Sequence, residues 1–210
     1  MKTLIAIPCG DMCHTGFLRS LVGMEISGQV QFTFAQGSLI YDARNQLAAT
    51  AVEGGFERVL WLDSDMAFPR ETFMQLQADL DSGKEMVSGL YFSRKRPIHP
   101  VAYTKMYFTE ENGMQVPHAD VLEAWPDEPF KVAAVGFGVC MMTTDLLKRT
   151  REKFGLPFSP VFGFGEDLSF CQRVSELGVD IWVDPAMKIG HIGQALFNAE
   201  CYSVKGGGRA

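Results

Sequence analysis

Two aspartates one residue apart, in the segment Asp63-Ser64-Asp65, are the side chains of this sequence best suited to chemistry. They follow the apolar run 59–62, which predicts a buried strand of a parallel sheet. Side chains at positions i and i+2 of an extended chain point the same way, so the two carboxylates should converge. Converging carboxylates beside apolar walls need protons or a cation, and a divalent cation holding a phosphorylated substrate would satisfy them. The simpler alternative is a pair of acids that caps the next helix.

Strand and helix patterns alternate on both sides of this pair and predict an α/β fold. Over the first 91 residues we expect strands at 2–8, 29–34, 58–62 and 85–91, and helices at 16–25, 39–52 and 69–83. Repeated β-α-β order predicts a mostly parallel sheet with right-handed crossovers. Ligands bind such sheets at the carboxyl ends of the strands, which is where the aspartates lie.

The middle of the chain departs from this alternation. Segment 92–130 holds five prolines and the hairpin signal Asn112-Gly113, so we expect short strands and loops in a small irregular β insertion over the sheet. After it we expect strands at 131–135, 139–142 and 180–183, and helices at 143–154 and 166–177. These elements would complete one domain over residues 1–204, followed by a flexible tail at 205–210.

Composition narrows the classes of protein that this chain can belong to. A net charge of −6 argues against a nucleic-acid partner, since general nucleic-acid binders carry a basic surface. The apolar start is too short for a signal peptide, and we expect no membrane span. The five cysteines are scattered and odd in number, as is typical of reduced thiols, so we expect a cytoplasmic protein. A homo-oligomer would be compatible with a chain of this size.

Motifs along nearly the whole chain give an ordered set that resembles the nucleotide-sugar glycosyltransferases, near glycosyltransferase family 2. In sequence order they are Ile5-Ala6-Ile7-Pro8, Ala43-Arg44-Asn45, Asp63-Ser64-Asp65, Val135-Gly136-Phe137-Gly138, Gly165-Glu166-Asp167 and Ile189-Gly190-His191. The resemblance implies a three-layer α/β/α, Rossmann-like GT-A fold. It also implies transfer of a sugar from a UDP- or GDP-sugar to a hydroxyl acceptor such as a saccharide.

The resemblance also implies roles for individual residues. Asp65 would bind Mn²⁺ or Mg²⁺ directly, His191 would be a further ligand, and Asp63 would bind the metal through water or hold the ribose. Asp167 would be the general base of an inverting reaction, and Glu166 would orient or bind the acceptor. Acids are also common at helix starts because they suit the helix dipole, which is the alternative explanation for both. A retaining reaction would remove the base assignment.

The donor nucleotide is expected to contact the loop after the first strand, the second helix and the aspartate motif, through Pro8, Gly10, Asp11, Arg44, Asp63 and Ser64. The basic cluster Ser93-Arg94-Lys95-Arg96 could bind a diphosphate or an anionic acceptor, although a solvated loop is the commoner explanation. Two other functions stay open. A sugar-phosphate nucleotidyltransferase would need basic residues after the first strand, and segment 9–15 has none. A non-catalytic nucleotide-sugar binding protein would keep the fold without turnover.

Overall fold

The computed structural model describes residues 1–37, 39–94, 96–161, 163–193, 196–197 and 199. In chain order the strands are β1 (Lys2–Cys9), β2 (Gln29–Gln36), β3 (Arg58–Leu62), β4 (Met66–Ala67), β5 (Met86–Gly89), β6 (Ala102–Glu111), β7 (Met114–Val121), β8 (Phe130–Val132), β9 (Ala134–Val135), β10 (Val139–Thr143), β11 (Ile181–Asp184), β12 (Gly190–Ile192) and β13 (Leu196–Phe197). The helices are α1 (Thr15–Gly23), α2 (Ile40–Glu53), α3 (Thr72–Asp81), α4 (Thr144–Phe154) and α5 (Glu166–Glu176).

The central sheet contains seven strands in the order β2-β1-β3-β10-β5-β11-β8. Strands β1, β2, β3, β5 and β11 run in one direction, while β10 and β8 run antiparallel to their neighbours. The sheet is therefore mostly parallel, as the β-α-β pattern predicts. The carboxyl ends of β1 and β3 lie side by side at one end of the sheet. Asp63 follows β3 at that end.

Strand side chains alternate between two apolar cores, one on each face of the sheet. On β1, Leu4 and Ala6 face the core formed with α2, α4 and α5, whereas Ile5 and Ile7 face the core formed with α1 and α3. All four side chains are fully buried. Because both faces are covered by helices, these strands are continuous apolar runs. This arrangement confirms the predicted three-layer α/β/α class.

Strand β10 inserts antiparallel between β3 and β5, which no local pattern in the sequence indicates. The turn before it, Gly136-Phe137-Gly138, reaches the same edge of the sheet as Asp63. The Gly138 carbonyl accepts a hydrogen bond from the Asp63 amide at 2.9 Å. At its other end β10 leads directly into α4, whose first turn is capped by the Thr143 hydroxyl accepting from the Leu146 amide at 3.2 Å.

The insertion is more regular than the prolines suggest. Strands β6 and β7 form a long antiparallel hairpin, and its turn has positive φ at Asn112 and Gly113, as the Asn-Gly signal predicts. With β9 the hairpin makes a three-stranded sheet in the order β7-β6-β9. Pro117 lies within β7, which is an edge strand of this sheet, and edge strands are where proline is tolerated.

A second small sheet, in the order β13-β12-β4, was not predicted. Strand β4 begins directly after Asp65, and β12 pairs with it so that His191 is the partner of Met66. The Ile192 amide also donates to the Asp65 carbonyl at 2.7 Å. This pairing brings a distant part of the chain next to the aspartate motif.

Three other predictions bear on the chain as a whole. No helix among the described residues is long and apolar enough to cross a bilayer. The described cysteines, Cys9, Cys13, Cys140 and Cys171, are free thiols. The predicted tail at 205–210 lies outside the described residues, and the domain boundary at residue 204 stays a prediction.

Candidate functional site

A cavity of about 250 Å³ opens at the carboxyl ends of β1 and β3, and it is lined by Pro8, Cys9, Gly10, Gly37, Ile40, Ala43, Asp63, Ser64 and Asp65. Five of these residues were predicted site residues: Pro8, Gly10, Asp63, Ser64 and Asp65. The other four were missed by sequence reasoning, because small and apolar lining residues have no chemical signature. The cavity therefore combines carboxylates on one wall with apolar and backbone surface on the other.

Asp65 and His191 meet at this edge of the sheet. The pairing of β12 with β4 places the His191 Nε2 atom 3.4 Å from the Asp65 Oδ2 atom. Burial would raise the pKa of Asp65, but the hydrogen bond and charge of His191 and the charge of Arg94 outweigh it, so the pKa is lowered. Asp65 is consequently an anion whose surroundings are arranged around its negative charge.

The hydrogen bonding of His191 determines what can lie between these two side chains. Its Nδ1 atom is 3.0 Å from the carbonyl oxygen of Phe92, and since a carbonyl can only accept, Nδ1 carries the proton. Nε2 is then the atom that faces the Asp65 carboxylate: a protonated imidazole donates to it, which is the interaction that lowers the pKa of Asp65, whereas a neutral imidazole directs a lone pair at it. Two acceptors that face each other need a proton or a cation between them. A carboxylate and an imidazole suit Mn²⁺, so this pair fits two of the ligands of such an ion.

Arg94, from the basic cluster 93–96, supplies a positive charge at the same point. Its Nη1 atom lies 2.9 Å from Asp65 Oδ2 and donates to the Ile192 carbonyl at 3.2 Å. The side chain is 43% exposed, so the guanidinium neutralises Asp65 from the solvent side. Arg94 is thus not simply solvated, and Lys95 lies outside the described residues.

Arg44 is the most deeply buried charged group at the site. Only 2% of its side chain is exposed, its Nη2 donates to Asp63 Oδ1 at 2.8 Å, and its Nε donates to Glu166 Oε1 at 3.2 Å. The guanidinium also lies 5.3 Å from the Phe137 ring centre, a cation–π contact. Arg44 therefore ties the end of β3 to the start of α5, and it lies beneath the cavity instead of lining it.

The charges around Arg44 set the ionisation of this cluster. Burial alone would lower the pKa of Arg44, but Asp63, Glu166 and Asp167 together raise it, so the guanidinium stays protonated. Burial raises the pKa of Asp63, and the neighbouring Arg44 offsets this only in part. The result is a set of three acids around one buried cation.

Asp167 is the acid of this cluster whose raised pKa lies close to neutral pH. It lies in the first turn of α5, and burial followed by the charge of Glu166 raises its pKa to about 6. Its Oδ1 atom accepts from the Leu168 amide at 2.8 Å, which limits the shift. A carboxylate with this pKa can take up a proton near neutral pH.

Tyr91 packs between the cluster and the imidazole, although its sequence context gave no reason to select it. Its hydroxyl accepts a hydrogen bond from the Gly138 amide at 3.1 Å, and its ring is 5.7 Å from that of His191. A Cβ atom on Gly136 would lie 2.1 Å from the Tyr91 hydroxyl, so the glycine is needed for this contact. Tyr91 fixes the Gly-rich turn against the site.

The remaining predicted residues are less closely tied to the cavity. Asp11 does not line the cavity. Its Oδ1 atom accepts a hydrogen bond from Gln36 Nε2 at 3.3 Å, just after the carboxyl end of β1. Within the part of the chain that the structure describes, no group of three or more His, Cys, Asp or Glu side chains could hold a metal ion. Bound phosphate oxygens or water would have to complete the coordination of an ion on Asp65 and His191.

Comparison with known proteins identifies the fold but no family. No protein-family model matches the sequence, and no curated protein matches it. Protein A197 from STIV superposes with a TM-score of 0.65 at 19% identity, covering 92% of this chain and 86% of A197. The GT-A-fold glycosyltransferase GalNAc-T7, solved with UDP, GalNAc and Mn²⁺, superposes with a TM-score of 0.61 at 11% identity. The alignment covers 97% of this chain and 45% of the GalNAc-T7 chain, so this chain spans less than half of that protein.

The chain has the GT-A fold. At these identities the likeness extends to the fold and not to a family or a substrate.

Proposed function

We propose that this chain is a glycosyltransferase, similar to family 2, that moves a sugar from a nucleoside-diphosphate sugar to a hydroxyl acceptor. The observation that carries the proposal is the meeting of Asp65 with His191 beside the cavity. Two facing acceptor atoms require a proton or a cation between them, and the pocket wall next to them is suited to the rest of a nucleotide. The GT-A fold adds support, since GalNAc-T7 was solved with a nucleotide and Mn²⁺.

Asp65 and His191 would hold the cation, Mn²⁺ or Mg²⁺, with donor oxygens and water as the other ligands. When bound, the ion would offset the negative charge that grows on the departing diphosphate. Asp63 is turned toward Arg44, so we assign it to the ribose or to a water of the ion and not to direct coordination. Pro8, Gly10 and Ser64 would contact the nucleotide from the cavity walls, with Asp11 at the mouth.

Arg44 takes a different role from the expected nucleotide contact. A guanidinium that is 2% exposed and bonded to two carboxylates is poorly placed to reach a ligand. We propose that it positions Asp63 on the donor side and Glu166 on the acceptor side relative to each other. Its charge also limits how far the pKa of Asp167 rises.

Asp167 would act as the general base of an inverting transfer. The acceptor hydroxyl gives its proton to the Asp167 carboxylate while its oxygen forms a bond to the anomeric carbon. The bond from that carbon to the diphosphate oxygen breaks, and its electron pair leaves with the nucleoside diphosphate. Glu166, held by Arg44, would bind or orient the acceptor.

A thermal-shift panel of UDP and GDP, with and without Mn²⁺, tests the binding half of this proposal. A ligand at 100 times its dissociation constant stabilises the native state by about 2.7 kcal/mol, which is a melting-temperature increase of roughly 5–10 °C for a domain of this size. We expect such an increase only with nucleotide and metal together. Asp65→Ala should abolish the metal-dependent part. The matched control is Asp145→Asn, because Asp145 is 70% exposed and follows the far end of β10.

Hydrolysis of a donor sugar in the absence of an acceptor tests the catalytic half. Slow, metal-dependent release of nucleoside diphosphate would separate an enzyme from a binding protein that keeps the fold. Asp167→Asn should retain the thermal shift while losing transfer by about 10²–10⁴-fold, the usual contribution of a general base. A shift that survives Asp65→Ala would refute the cation assignment. Full transfer by Asp167→Asn would refute the base assignment.

A further inference from the structure

Strand β2 forms an outer edge of the central sheet and has the properties of an unprotected one. It pairs with β1 on one side, and no strand in the described part of the chain pairs with its other side. Soluble proteins usually protect such edges with charges, prolines or bulges. The segment QVQFTFAQ contains no charged residue and no proline, and its register with β1 is continuous over all eight pairs.

Two phenylalanines on this edge strand are exposed for a specific geometric reason. Phe32 is paired with Ile5 and Phe34 with Ile7, so both point to the face of the sheet that α1 and α3 cover. The isoleucines are fully buried, whereas Phe32 is 40% and Phe34 is 50% exposed. The helical layer thus ends over β1 and leaves the aromatic side chains of the next strand uncovered.

Exposed apolar side chains are frequent in the part of the chain that contains this edge strand. Among the described residues, seven of the eleven large apolar side chains that are exposed lie between positions 12 and 40: Met12, Leu18, Val22, Phe32, Phe34, Leu39 and Ile40. Leu18 and Val22 are one turn apart on α1, which packs on the same face of the sheet as the two phenylalanines. Grouped exposure of this kind marks an interaction surface better than scattered single residues do.

We propose that β2 pairs antiparallel with β2 of a second copy of this chain, about a two-fold axis at Thr33. Around this axis the sequence Phe32-Thr33-Phe34 is self-complementary, because each Phe32 lies opposite the Phe34 of the other copy on the same face. Aromatic pairs directly across an antiparallel pair of strands are favourable. The central sheets of the two copies then form one continuous sheet, and α1 of each copy approaches the aromatic pairs.

The chemistry of the edge favours a second copy over a foreign strand. The chain carries a net charge of −6, which would oppose self-association at most surfaces, but β2 itself is uncharged. Two copies therefore meet at this edge without like charges directly opposite each other. A charged partner strand would find no complementary charge on β2. The proposal does not depend on the transferase assignment.

Multi-angle light scattering coupled to size-exclusion chromatography gives the first test. We expect the wild type to elute with twice the chain mass of 23.3 kDa, and Phe34→Lys to elute as a monomer. The matched control is Met114→Lys, since Met114 is 66% exposed at the hairpin tip and should leave the dimer intact. A monomeric wild type, or a dimer that Met114→Lys disrupts and Phe34→Lys does not, overturns the proposal.

A cross-linking test covers the case in which Phe34→Lys does not fold. Thr33→Cys should place two thiols on the two-fold axis, where antiparallel Cα atoms are about 4.5–5.5 Å apart, within the range of a disulfide. Oxidised glutathione should then give a covalent dimer on a denaturing gel. Thr104→Cys, an exposed strand position on the hairpin, is the control and should stay monomeric, as should the wild type. Equal cross-linking of the two variants, or none in either, rejects pairing at Thr33.

Discussion

The pH dependence of transfer should report the ionisation of Asp167. Its pKa is raised to about 6 by burial and by the charge of Glu166. A general base works only when it is deprotonated, and a group with a pKa of about 6 is about 90% ionised at pH 7 and about 10% ionised at pH 5. We therefore expect kcat/KM to fall by roughly an order of magnitude between these pH values.

The two neighbours of Asp167 should move this acidic limb in opposite directions. Glu166→Gln removes a negative charge that raises the pKa, so the limb should shift to lower pH. Arg44→Gln removes a positive charge that lowers it, so the limb should shift to higher pH. Glu152→Gln, an exposed position on α4, is the control and should leave the limb in place. A purely structural role for Arg44 would reduce the rate at every pH without displacing the limb.

The assay is kcat/KM against pH for a donor and acceptor pair identified by the binding panel, at saturating Mn²⁺ and again at saturating Mg²⁺. A limb caused by loading of the metal changes with the metal, whereas the limb of Asp167 does not. A wild-type limb far from pH 6, or a limb that Glu166→Gln moves upward, would refute the reasoning that links burial and charge at α5 to base strength.

Three further predictions concern stability and the cation. Asp167→Asn should raise the free energy of unfolding at pH 7 by at most about 3 kcal/mol, because ionisation of the buried acid opposes folding above its unfolded-state pKa. In urea titrations this gain should vanish below pH ~4, where the folded and unfolded states of the wild type both bind the proton. Gly136→Ala should cost about 1–3 kcal/mol, since its Cβ would lie 2.1 Å from the Tyr91 hydroxyl, and adding Tyr91→Phe should recover part of that loss in the same titration. Arg94→Met should bind Mn²⁺ up to about fivefold more tightly without nucleotide, because it removes a cation 2.9 Å from Asp65; equal calorimetric affinities would contradict this.

The sheet and its helices could be predicted because their signals are local. Strand β3 was predicted at Arg58–Leu62, and the structure has the same bounds, because a short apolar run covered on both faces needs no partner to be recognised. Strand β10 was predicted as a strand, but its antiparallel position between β3 and β5 was not. That choice depends on pairing between distant segments, which the periodicity of one strand does not encode.

The site was only partly predictable for the same reason. Asp63 and Asp65 have a local signature, whereas β4 and β12 are two and three residues long and show no period. The burial of Arg44 depends on Asp63 and Glu166, which are far away in sequence, so it was not predicted and Arg44 was expected to contact the nucleotide. Tyr91 was missed, and Arg94 was named only as part of a basic cluster for which a solvated loop was the commoner explanation, because the importance of both residues comes from what they contact.

The small sheet that joins β4 to β12 separates formation of the central sheet from formation of the Asp65–His191 pair. A fragment of residues 1–188 contains both aspartates, the Gly-rich turn, α5 and all seven strands of the central sheet, but it lacks the imidazole that faces Asp65. If this pair holds the cation, as proposed above, such a fragment should not bind manganese at this site even where its central sheet forms.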